Sequence, residues 1–213
     1  DILYSYLDMD ITNWFSTQLT FPMSIYDLRV ALATNFGLEY QPTTLVNDNL
    51  IIQTKYDLSN ETLTARNLLK YICELNGVFA SVNRYQQVRF VSLTPFSLIY
   101  PDSALFPSNS LFPGIVSESS EVATISAYKP SDYGEYTTRE INKVEVYDKS
   151  NAMISSFGLG SNVYKISSNI LASSMESAVL LSAITNFYDL VSQIVYVPIS
   201  VSIQAMPYLE VGD

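Results

Sequence analysis

Asp132 and Glu135 stand three apart in SDYGEY. Paired carboxylates are what glycoside hydrolysis needs: one acid to protonate the leaving oxygen, one carboxylate to attack or to activate water. The stretch is polar throughout, so a solvated loop is the competing reading. Asp8 and Asp10, in DMD, offer oxygen ligands to a cation. Two carboxylates fall short of a calcium shell, and a solvated loop is the simpler account. Cys73 is the single cysteine. It lies at the edge of an apolar stripe with no Lys or Arg placed to hold a thiolate, which makes it a core cysteine. GLGSN at 158–162 has the look of a phosphate loop. No helix opens directly after it and its spacing departs from the dinucleotide fingerprint, so Gly158 and Gly160 read as turn residues. Trp14 and Phe15 are either an exposed aromatic anchor or a buried plug, the commoner fate of a lone Trp.

Histidine is absent. That removes Ser–His–Asp and Cys–His nucleophile systems and every His-containing zinc site, leaving carboxylate chemistry as the enzyme alternative. No residue is assigned a catalytic, cofactor-binding or metal-binding role, and no cofactor is called for. The net charge is −10 with 11 basic residues, scattered and without a cluster. Phosphate neutralisation needs clustered Lys and Arg, so specific nucleic-acid binding is not expected. No apolar run reaches the length of a membrane span. The longest, AVLLSAITNFYDLV at 178–191, is broken by Asn186 and Asp189 and has a helical period. One cysteine excludes an internal disulfide framework and fits cytosolic synthesis. The opening DILYSYLDMD lacks a basic n-region. With no initial Met, and with YLEVGD at the end, the chain reads as a fragment of a longer protein.

Charged residues make up only 15% of the chain while Tyr occurs 16 times, so much of the surface must be neutral and polar. Tyr supplies contact area with little entropy to lose, which suits interfaces, and it also favours strands. The elements that would carry these residues read as follows. Ser24 caps a first helix over 24–36 with Asp27 in the acidic place of the capping box, Met23 and Leu28 as its hydrophobic staple, and Gly37 as its stop. Ile25, Leu28, Ala31, Leu32 and Phe36 form its apolar side. NDNLIIQTKYDL is a turn and a strand. A second helix over about 61–76 is capped by Ser59 or Asn60, with Glu61 in its first turn and Gly77 as its stop. Ala65, Leu68, Leu69, Ile72 and Leu75 make its stripe. VFASV and QVRFVSL then form a hairpin around Asn83–Gln86. Residues 95–120, with four prolines, form a connection. VATISAY at 122–128 and NKVEVYD at 142–148 are strands, with KPSDYGEYTT a loop between them and NAMISSFG a hairpin partner turning at KSN. Ser173 and Glu176 form a second capping box for a helix over about 174–191, striped by Leu180, Leu181, Ile184, Phe187, Tyr188 and Val191. Val195, Val197, Ile199, Val201, Ile203 and Ala205 alternate as a half-buried antiparallel strand whose Pro198 belongs at a sheet edge. The class is α+β. The domains read as an entry segment of the β region over 1–22, a helix–strand–helix–hairpin α/β domain over 23–94, the connection, and a mainly β region with one helix over 121–213.

TARNLLKYICELNGVFASVNRYQQVRFV at 64–91 resembles the α/β segment of phage and prophage tail hub proteins, the tail-tip proteins similar to the baseplate hub of contractile tails. GLGSNVYKISSNILA at 158–172 resembles the strand and turn that follow the family's insertion region. AMPYLEVGD at 205–213 resembles a strand entering the hub's β-barrel core. The family's Asp-Gly hairpin turn is replaced by NRYQQ. The resemblance implies a small α/β insertion-type domain plus antiparallel β-barrel-like tube domain elements, in a virion tail protein made in the bacterial host cytoplasm. It implies a homotrimeric ring closing the tail tube, with tape-measure and distal tail proteins as partners and any lytic module in sequence beyond this chain. The acidity would then suit a DNA conduit. The alternatives from other classes are a carbohydrate- or receptor-binding module of the tail tip and a carboxylate-based cell-wall hydrolase.

Overall fold

The computed structural model describes residues 7–83, 85, 87–92, 128–130, 140–192 and 201–203. The chain divides into two compact units, one of residues 1–94 and 139–195, the other of 95–138 and 196–213. Helices and small sheets are mixed, so the class is α+β, and among the described residues no sheet closes into a barrel.

In the first unit, helix α1 spans Thr12–Thr17, in the stretch expected to enter a β region. Asp10 stands before it and accepts from Thr12 N at 2.8 Å. Trp14 and Phe15 are buried, with Trp14 set edge-on to Phe36 at 5.3 Å between ring centroids. That is the plug reading. Strand β1, Met23–Ser24, leads into α2, Ile25–Phe36. Ser24 Oγ accepts from Asp27 N at 2.9 Å, and Gly37 ends the helix with φ of 62°; both ends form as expected. The first N–H groups of α2 need outside acceptors. Leu50 and Asp48 supply them, taking Ile25 N at 3.0 Å and Tyr26 N at 2.9 Å. Strand β2 is Glu39–Tyr40, and the strand expected after the turn at 45–50 is only β3, Ile51–Ile52, antiparallel to β1.

Helix α3 spans Ala65–Asn76, four residues shorter at its start than its pattern predicts. Its cap is Thr64, whose Oγ1 accepts from Asn67 N at 3.2 Å, and not Ser59 or Asn60. The stretch before it is taken up by residues 9–12. Leu63 O accepts Ile11 N at 2.8 Å, Leu63 N donates to Thr12 Oγ1 at 2.8 Å, and Ala65 N reaches Met9 O at 3.2 Å. Glu61 pairs with Lys149 and takes no part in the helix. Gly77, in the left-handed conformation, turns the chain directly into β4, Val78–Val82, antiparallel to β5, Gln87–Ser92. β5 is central in the order β2-β5-β4, with β2 parallel to it.

A second three-stranded sheet has the order β8-β7-β9, from β7 (Lys143–Tyr147), β8 (Met153–Gly158) and β9 (Val163–Ser167). The β7–β8 hairpin forms as expected, and β9 lies parallel on β7's other edge. Val144 and Val146 turn one face inward. Helix α4, Ile170–Ser173, and helix α5, Ser177–Val191, complete the unit. The capping box expected at Ser173 and Glu176 does not form. Ser173 closes α4 and donates its Oγ to Asn169 O at 3.3 Å, while Glu176 precedes α5 without a side-chain cap. The chain is held across that junction by buried Ser174, whose carbonyl accepts from Gln53 N and Thr54 N at 3.0 and 3.2 Å. On α5, Leu180, Ala183, Ile184, Phe187 and Val191 are buried, but Leu181 is exposed. Leu28 and Leu32 of α2, Leu68 and Ile72 of α3, Val144 and Val146 of β7, and Ile184 and Phe187 of α5 all belong to one apolar cluster. Burial of each such side chain contributes about 1.5–3 kcal/mol.

In the second unit, β6 (Tyr128–Pro130) and β10 (Val201–Ile203) form an antiparallel pair in the register Tyr128↔Ile203, Lys129↔Ser202, Pro130↔Val201. Lys129 and Pro130 are thus strand where a loop was expected. The connection 95–120, the strand expected over 122–127 and the residues around Pro198 lie outside the described residues.

Candidate docking groove

Helix α3 and strand β4 follow each other through Gly77 alone, so they fold back side by side. Between them runs an apolar groove of about 320 Å³. Leu69 and Cys73 line it from α3, Val78, Ala80 and Val82 from β4, and Tyr164 and Phe187 from β9 and α5. β4 is an edge of its three-stranded sheet, and VFASV carries none of the charges or prolines with which sheet edges are usually blunted. Phe79, Val82 and Tyr164 are each 37% exposed, and the groove is open at its mouth. Its rim charges cancel in pairs: Arg66 Nε with Asp8 Oδ1 at 2.7 Å, and Lys70 Nζ with Glu74 Oε1 at 3.5 Å.

Two asparagines position the walls. Asn169, fully buried, donates to Tyr71 O at 3.0 Å and Glu74 Oε2 at 3.1 Å, and its Oδ1 accepts from Leu171 N and Ala172 N at 3.1 and 3.2 Å. It thereby caps α4 and ties the end of β9 to α3. Asn47, also fully buried, joins the turn at 45–50 to α3 and α5. Its Nδ2 donates to Leu75 O at 2.6 Å and Ala183 O at 3.2 Å, its Oδ1 accepts from Asn186 Nδ2 at 2.8 Å, and its N–H donates to Asn76 Oδ1 at 2.8 Å. Beside it, Arg29 and Asp48 form a buried ion pair at 2.6 Å, with Asp48 also accepting from Leu45 N. The rings of Tyr26, Tyr40 and Phe90 lie within 5.3–5.8 Å of the guanidinium carbon.

The residues singled out for chemistry do not converge. Asp8 pairs with Arg66 and Asp10 holds Thr12; these donors hold both carboxyls below their ordinary range. Cys73 is buried, and burial, reinforced by Glu74, pushes its thiol up to about 12. Such a group is a poor nucleophile at neutral pH. Gly158 and Gly160, with φ of 89° and 151°, strap the loop between β8 and β9 around Asn142, and a Cβ at either would come within 2.4 Å of that residue. Gly158 is the last residue of β8, paired with Lys143, and not the turn residue expected, while Gly160 lies in the loop that follows. Asp132 and Glu135 lie outside the described residues. A second, polar cleft of about 650 Å³ is lined by Asp10, Asn13, Lys55, Tyr56 and Asp57 among others. Its polar groups serve local structure: Lys55 Nζ donates to Ser16 O at 2.8 Å, and Asp57 Oδ1 accepts from Ser59 N at 2.9 Å. On the face of β7 opposite Val144 and Val146, Lys143 at 2.7 Å and the Tyr147 hydroxyl at 2.6 Å hold the Glu145 carboxyl low.

Among the described residues no three His, Cys, Asp or Glu side chains gather as a metal site, and no helix is long and apolar enough to cross a membrane. The groove itself could be foreseen only in part. Its helical and strand walls were legible, but Tyr164 and Phe187, distant in sequence, gave no sign of joining them. Comparison with protein-family models, curated proteins and solved structures finds no match.

Proposed function

We propose that this chain is a structural component of a phage or prophage tail tip or baseplate hub, contributing to the ring that closes the tail tube and docking neighbouring tail proteins. The observation that carries this reading is the meeting of two stretches that resemble the family. Residues 64–91 provide α3, β4 and β5, and residues 158–172 provide β9 and α4. They lie far apart in sequence, yet Asn169 bonds Tyr71 and Glu74, and Tyr164 completes the groove along α3. An apolar groove open at its mouth beside an edge strand is a geometry that takes the apolar side chains of an extended segment. On this reading the groove takes such a segment from a tail partner, with the tape-measure and distal tail proteins as the first candidates, and full-length copies assemble as a homotrimer. No bond-making chemistry is assigned to this chain.

Purified tail particles from the producing strain provide the test. Immunogold electron microscopy with antibody against this chain should label the distal tip of the tail tube. Label absent from particles, with the protein present only in the soluble lysate, overturns the assignment. Val82→Lys, which charges the groove mouth at a 37% exposed position, should leave the fold intact by circular dichroism and reduce incorporation into tails. Normal incorporation of that variant would remove the groove from the contact while leaving the tail assignment standing.

A further inference from the structure

We draw no further inference here: the strongest candidate beyond the groove, the 94% exposed Leu159 on the glycine-flanked loop between β8 and β9, is a single apolar side chain, and nothing in the structure shows what covers it.

Discussion

Replacing Asn47 by Ala tests whether one buried amide fastens the first unit together. The change removes three side-chain hydrogen bonds, those to Leu75 O and Ala183 O and the one received from Asn186. Leu75 lies in the last turn of α3, where carbonyls lack helical partners, so its oxygen is left buried without a donor. At about 1 kcal/mol per bond, with a further penalty for the stranded groups, the loss comes to about 3–4 kcal/mol. A domain has only about 5–15 kcal/mol in total, and the melting temperature should fall by about 6–16 °C. Asn47→Asp keeps the shape but aims a carboxylate at two carbonyl oxygens. It should cost at least as much as Ala at pH 7. The folded state would raise the pKa of the introduced carboxyl, so the deficit should shrink as pH falls and the group is protonated. Urea unfolding followed by circular dichroism reads both variants, and a double-mutant cycle with Asn186→Ala should return about 1 kcal/mol of coupling. A cost for Asn47→Ala below about 1 kcal/mol, or an Asn47→Asp variant as stable as the parent, would refute the reasoning.

Asp48→Ala leaves the Arg29 guanidinium buried without its carboxylate and should cost about 3–5 kcal/mol in urea unfolding; the double variant Arg29→Met with Asp48→Leu should recover most of it, and an equal loss in both would show that the ion pair is not the source. Cys73 should react with a thiol reagent at pH 8 far more slowly in the native protein than in urea, because its thiol is buried and its pKa raised; equal rates would contradict that burial. Asp8, Asp10, Glu145 and Asp148 all have folded pKa values below their ordinary 3.8 or 4.5, each through a donor it bonds in the fold. Depressed values mean that the unfolded chain binds more protons, so this stabilisation is full above the ordinary carboxyl range and is lost as pH falls through the folded values. Unfolding measured from pH 6 to 2 should show stability falling on acidification, with a shallower fall in Glu145→Gln and at high salt; a stability that rises towards pH 3 would reverse the sign argued here.

The elements whose boundaries could be read directly are those closed by local chemistry. Ser24 with Asp27, Gly37 and Gly77 act within a few residues of their own backbone, so their effect is present in the sequence. The hairpins β4–β5 and β7–β8 likewise join neighbours in the chain. Where a distant segment competed, local signals lost. Residues 61–64 look like a helical first turn, but Leu63 and Ala65 bond to residues 9–12 instead. Ser173 and Glu176 have the spacing of a capping box, but Asn169 closes the turn first and Ser174 is held by Gln53 and Thr54. Arg29 sits on the apolar side of α2, and only the turn at 45–50 explains its burial.

By itself the sequence determined the α+β class, the glycine-stopped helices, the adjacent strand pairings and the exclusion of histidine chemistry, because each depends on residue type or on spacing of a few positions. Only the tertiary structure decided that residues 140–191 share a core with residues 7–92, that β9 runs parallel beside β7, and that Tyr164 and Phe187 finish the groove begun by α3 and β4. Those outcomes rest on shape and on hydrogen bonds such as Asn47 to Ala183 and Asn169 to Tyr71. Their partners lie roughly a hundred residues apart, where only summed burial and closure of the whole chain select one arrangement.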